Sequence, residues 1–139
     1  MRVLTLMAAL LTLTACTSGP LAPNCERRTG SLIEATATVA ALASVTYDVT
    51  SPVNSNLFVT ISWSTAAANL GLQATILACG VHAGCEIGST LTAATTQPTM
   101  RQLEVDGSLG KQYRIDVLGD PNQDQIFEIR VTYDTGICT

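Results

Sequence analysis

Apolar and polar residues alternate one for one along six separate stretches of this chain, and that period limits what it can fold into. In "SVTYDVT", Val45, Tyr47 and Val49 fall on one side and Thr46, Asp48 and Thr50 on the other. "LFVTISW" puts Leu57, Val59, Ile61 and Trp63 in one row, and "GLQATILAC" does the same with Leu72, Ala74 and Ile76. "RQLEVDG" sets Leu103 and Val105 against Gln102, Glu104 and Asp106. "KQYRIDVLG" sets Tyr113, Ile115 and Val117 against Gln112, Arg114 and Asp116. "IFEIRVTYD" sets Phe127, Ile129, Val131 and Tyr133 against Glu128, Arg130 and Thr132. A period of two marks a β-strand with one buried face. Clusters such as "SPVNSN" and "GDPNQDQ" separate the strands as turns do. The segment "GSLIEATATVAALA" has helix-favouring alanines, yet Ile33, Ala35, Ala37 and Val39 alternate and its threonines are β-branched. It reads as a first strand followed by a turn. Strands with one apolar face need another such face to cover it. The expected fold is an all-β, antiparallel, jelly-roll-like sandwich of about seven to eight strands, with a core about 10 Å thick.

The N-terminus is different in kind. After Arg2, residues Val3 to Leu13 form an almost unbroken apolar run. As a helix it rises only about 16 Å, roughly half a bilayer core, which suits a secretory signal peptide and not a spanning segment. The run closes on Leu13-Thr14-Ala15-Cys16, which resembles the bacterial lipobox. The resemblance implies that the Cys16 thiol carries a diacylglyceryl group, that the chain is cut before it, and that the new amine is acylated. Residues 1–15 are then the signal peptide, 16–24 the lipidated cysteine and a short tether, and 25–139 the domain. One acyl chain binds a membrane marginally, whereas two or three anchor it durably. Thr17 stands where an inner-membrane retention signal prefers Asp, so by resemblance to enterobacterial sorting the destination is the outer membrane. The tether "TSGPLAPN" reaches under about 30 Å when extended, which keeps the domain close to the bilayer.

The anchor also explains an odd count. Five cysteines cannot all pair, and Cys16 is the one set aside. Cys25, Cys79, Cys85 and Cys138 remain, and export makes them disulfide candidates. Three pairings are possible. Cys79–Cys85 as a loop staple and Cys25–Cys138 as a clasp between the domain's ends are favoured over the crossed alternatives. Loss of Arg2 leaves six basic residues against eleven acidic, a net charge of −5. Arg27-Arg28 is the only basic pair, so a nucleic-acid partner is excluded.

The order "VTYDVTSPVNSNLFVTISWSTAAANLGLQATILACGVHAGC", then "QYRIDVLGDPNQDQIFEIRVTYD", resembles the bacterial pre-peptidase C-terminal domain. The resemblance spans about residues 30 to 134, with Tyr47, Trp63, Leu70, Leu72, Tyr113, Val117 and Val131 at matching places. It implies a jelly-roll-like sandwich of the sort found beside exported enzymes. Asn69 and Gly71 stand where that family commonly has aspartates, which argues against carrying over a cation role. No protease domain accompanies the segment, so an accessory role would act on a separate partner.

Chemistry is sparse. His82, the single histidine, lies between Cys79 and Cys85 with no nucleophile motif around it, and reads as a loop-tip contact residue. Asp120, Asn122 and Asp124 match positions 1, 3 and 5 of a calcium loop. Gln125 replaces its glycine and Val131 its final glutamate, so a hairpin turn is the stronger reading and calcium a weak one. Glu104 and Asp106 share a polar strand face, as outer-row residues normally do. The chain therefore reads as a non-enzyme without cofactor or metal. The expectation is a lipid-anchored binding or accessory module of the cell envelope, touching a protein or glycan through loops 79–85 and 120–125. A structural, surface-assembly subunit is the alternative, and a hydrolase is disfavoured.

Overall fold

The computed structural model describes residues 25–78, 86–95 and 97–138, and every regular element among them is a β-strand. The strands are β1 (Cys25–Val39), β2 (Ser44–Thr50), β3 (Leu57–Trp63), β4 (Gly71–Ala78), β5 (Glu86–Thr92), β6 (Met100–Val105), β7 (Gln112–Leu118) and β8 (Gln125–Cys138). They form two four-stranded sheets, ordered β1-β8-β3-β6 and β2-β7-β4-β5, with every pairing antiparallel. That interleaved order is a jelly roll.

Burial follows the alternation. The row Leu57, Val59, Ile61 and Trp63 faces inward, each nearly or wholly buried, and Tyr113, Ile115 and Val117 face it from the other sheet. Phe127, Ile129 and Val131 complete the centre. The strands with the richest apolar rows occupy the middle of each sheet, where both edges are paired. The more polar β1, β2, β5 and β6 take the edges. The Tyr113 hydroxyl, on an otherwise buried ring, donates to the Asp106 carbonyl and pins the β6–β7 turn.

Two features depart from the sequence expectations. Along β5, Gly88 to Thr92 are all exposed, and the strand's register partners lie on β4. Nothing in its pattern distinguished it from loop. The "GDPNQDQ" segment, read as a hairpin turn, instead crosses from one sheet to the other, because β7 and β8 lie in different sheets. Among the described strands, only β4 and β5 are consecutive and also neighbour each other.

The antiparallel order sorts the connections by end. Those following β1, β3, β5 and β7 gather at one end, here the far end. Those following β2 and β6 lie at the other, near end, together with Cys25, Cys138 and the paired strand ends Ala78 and Glu86. There β1 and β8 continue as a two-stranded ribbon from Thr29↔Asp134 to Cys25↔Cys138, past the last β3 partner at Leu57↔Tyr133. Five residues at about 3.4 Å make it about 17 Å long. At its root, Gly30 pairs with Tyr133, and a Cβ at Gly30 would collide with the Tyr133 ring.

Candidate functional site

The far end is built on one buried cation and one buried carboxylate. Trp63 closes β3 with its ring turned inward and its Nε1–H shared between the carbonyls of Thr65 (3.1 Å) and Ala68 (3.2 Å). This ties the β3–β4 loop to the core. Arg101 is in phase with Leu103 and Val105, so β6 directs it inward, where it is 4 % exposed. Its guanidinium lies 5.0 Å from the Trp63 ring centroid. It donates to the carbonyls of Met100 (2.7 Å) and Gln97, and to Asn69 Oδ1 at 2.6 Å. Its Nε is buried without a partner.

Asn69 continues the chain of contacts. Its backbone N–H donates to Asp120 Oδ2 at 2.7 Å, while Asn122 N–H donates to Oδ1 at 2.8 Å. These amides, that of Asn122 foremost and then that of Asn69, hold the Asp120 carboxyl below the usual carboxylate range. The Asp120 carbonyl accepts from Leu42 N–H (3.1 Å), and Asp124 Oδ1 accepts from Ala41 N–H (2.8 Å). One network thus fastens the β1–β2, β3–β4, β5–β6 and β7–β8 connections together.

What this frame presents to solvent is mostly apolar or neutral. Leu42, at the tip of the β1–β2 turn, has φ of 59° and is 81 % exposed. A left-handed conformation costs a residue with a Cβ roughly 1–2 kcal/mol, and glycine or asparagine usually occupies it. Ile126 is exposed on the outer face beside a shallow 380 Å³ groove with Thr36, Ser62, Ser64 and Glu128. Asn69, Pro121 and Asn122 are exposed around them.

The sequence-derived candidates fall in different places. Asn122 and Asp124 are exposed at the far end, but Asp120 is turned inward with both carboxylate oxygens occupied by amides. Among the described residues no group of three His, Cys, Asp or Glu side chains is placed to hold a metal ion. Cys16, Cys79, His82 and Cys85 lie outside the described residues. Ala78 and Glu86, the described residues on either side of positions 79–85, are register partners at the near end. Cys25 and Cys138 are register partners on β1 and β8. Glu104 is exposed and accepts from Asn56 Nδ2. Sequence reasoning missed Arg101 and Leu42. The strand's own phase could have found Arg101; nothing in "AALAS" marks Leu42.

No family model matches the chain, and no curated protein matches it. Among solved structures it is similar to the crystal structure of Aeromonas hydrophila PliG, a periplasmic lysozyme inhibitor of g-type lysozyme. The TM-score is 0.47 at 9 % identity, covering 81 % of this chain and 89 % of that chain.

Proposed function

We propose that this chain is a lipid-anchored protein of the bacterial cell envelope whose jelly roll is a binding module, with the far end as its contact surface. The observation that carries the reading is Leu42. It combines a disfavoured backbone conformation with an apolar side chain left in water, and its backbone is held there by Asp120. Strain that a fold maintains at an exposed loop tip points to use of that tip. The tether joins at Cys25, on the near end, so the far end faces away from the membrane and is free to meet a partner. A protein fits better than a glycan, because none of the described aromatic side chains is exposed as a platform for stacking sugars. The resemblance to pre-peptidase C-terminal domains supports the same accessory role.

A second reading, a surface-assembly subunit, draws on β1, a 15-residue strand whose outer edge has no strand partner among the described residues. One experiment separates the two. A photoreactive phenylalanine analogue is placed at residue 42, and separately at Ser31, exposed on β1 away from the far-end groove, in the full-length protein in its native cells. The binding reading expects a discrete heterologous adduct from residue 42 and none from residue 31. Adducts at multiples of the chain's own mass from residue 31 would favour assembly, and silence at residue 42 would sink the contact surface.

A further inference from the structure

We infer that the near end of the sandwich rests on the bilayer itself, with Leu109 entering the lipid; this rests on the lipid-anchored reading above. Leu109 is the tip of the β6–β7 turn and is 66 % exposed. An exposed leucine alone is ordinary. This one sits on a turn with almost no freedom. Leu109 N–H donates to Asn54 Oδ1 (2.8 Å), Gly110 N–H to the buried Ser51's carbonyl (2.8 Å), and Lys111 N–H to the Ser108 carbonyl (2.9 Å). Gly110 supplies the left-handed φ of 78° that the turn requires. The β2–β3 and β6–β7 connections are thereby locked together with the leucine pointing away from the domain.

The position of the chain's N-terminal segment names the occupant. Nine positions separate Cys16 from Cys25, a reach of about 30 Å at full extension. Cys25 ends the ribbon that leaves the sandwich at the end where Leu109 stands. The ribbon belongs to β1 and β8 and the turn starts from β6, on the opposite edge of that sheet, so they are about 14 Å apart sideways. A domain leaning onto its β6 side sets both on one plane. Lys111 stands beside the leucine and Arg28 on the ribbon, while Asp106 is exposed nearby. The local charge is mixed, so apolar insertion rather than attraction to anionic headgroups makes the contact.

The test uses the mature protein, expressed with its own signal sequence, purified from membranes and reconstituted into phosphatidylethanolamine–phosphatidylglycerol vesicles with brominated acyl chains. Leu109→Trp adds a second emitter to Trp63, which is buried at the other end of β3, about 20 Å away along the strand. The inference expects bromolipid to remove most of the emission contributed by residue 109, to leave Trp63 emission in the wild type unchanged, and to do so equally at low and high salt. Protein that floats with the vesicles while residue 109 stays unquenched overturns the inference and leaves the anchor standing. Protein that fails to float, or lacks acyl mass on Cys16, overturns the anchor and the inference with it.

Discussion

Arg101 stacks on Trp63 with 5.0 Å between guanidinium and ring centroid, and among the described residues no carboxylate pairs with it. Its charge is met by carbonyl dipoles, an amide oxygen and a π-face. A planar fork suits that set and an ammonium does not, since a lysine is more strongly hydrated and cannot stack. Arg101→Lys should therefore destabilise the domain by about 1–3 kcal/mol in urea titration. Arg101→Met, which removes the buried charge at similar volume, should cost less than the lysine. A lysine variant as stable as wild type would show that the stacking contributes nothing.

Trp63 is the other half of that pair. It is 6 % exposed and holds the β3–β4 loop through Thr65 and Ala68. Truncation to Ala should cost about 3–5 kcal/mol. Trp63→Phe keeps a ring beneath Arg101 but loses the donor to both carbonyls, and should cost about 1–2 kcal/mol. A fully stable Trp63→Ala variant would place the side chain outside the core.

These two residues show what was legible. The alternation around Trp63 sets its face, and the same parity extended back from Val105 and Leu103 turns Arg101 inward; a charged residue in an apolar row is easily taken for the row's end. The sandwich and its central strands follow from period two, because a buried face demands it. β5 left no such trace, since residues 88–92 are all exposed. The pairing of the two sheets was hidden for another reason. Turn chemistry marks where the chain reverses, but not whether "GDPNQDQ" returns to the same sheet or crosses to the next. Leu42 is less legible still, because its positive φ is set by Asp120 and Asp124 on a distant connection.

Leu42 offers a stability test independent of any partner. Leu42→Asn removes an exposed apolar group and places a residue tolerant of the left-handed region at φ 59°. It should raise stability by about 1 kcal/mol, whereas Leu42→Val, branched at Cβ, should lower it. Thermal melts of the three proteins decide. If Asn destabilises the domain, the strain assigned to Leu42 is wrong.

Asp120 sets an acid limit. Its carboxyl is held below the ordinary 3.8 by the Asn122 amide, two residues on, and by the Asn69 amide, which only the fold brings to it. The ionised form is thus favoured in the folded state, and the contribution is whole above about pH 4. It fades as pH falls through the lower, folded value. Asp120→Asn should flatten that acid slope while destabilising the domain at neutral pH. Denaturant midpoints between pH 2 and 6 read both effects, and an unchanged slope would mean other groups carry the acid sensitivity.

The ribbon makes the last prediction the most direct. Cys25 and Cys138 are opposite residues on antiparallel strands, where Cα atoms stand about 4.5–5.5 Å apart, inside the span a disulfide bridges. Four edge pairs separate this position from the body of the sandwich, so without a covalent link the ribbon's open end would fray first. An exported chain should therefore join Cys25 to Cys138 and, across the β4–β5 connection, Cys79 to Cys85. Non-reducing peptide mapping should return these two linkages, with Cys16 carrying acyl mass instead of a thiol. The terminal link closes a ring of more than 100 residues. Its loss in Cys25→Ser/Cys138→Ser should cost about 4–5 kcal/mol by chain entropy, less whatever ribbon structure survives in the unfolded ensemble. Cys79–Cys85 would close only a short loop, so its loss should leave the global transition nearly in place. Linkage of Cys25 to Cys79 or Cys85 would contradict the β1–β8 register, and four free thiols in protein taken from its native compartment would contradict export.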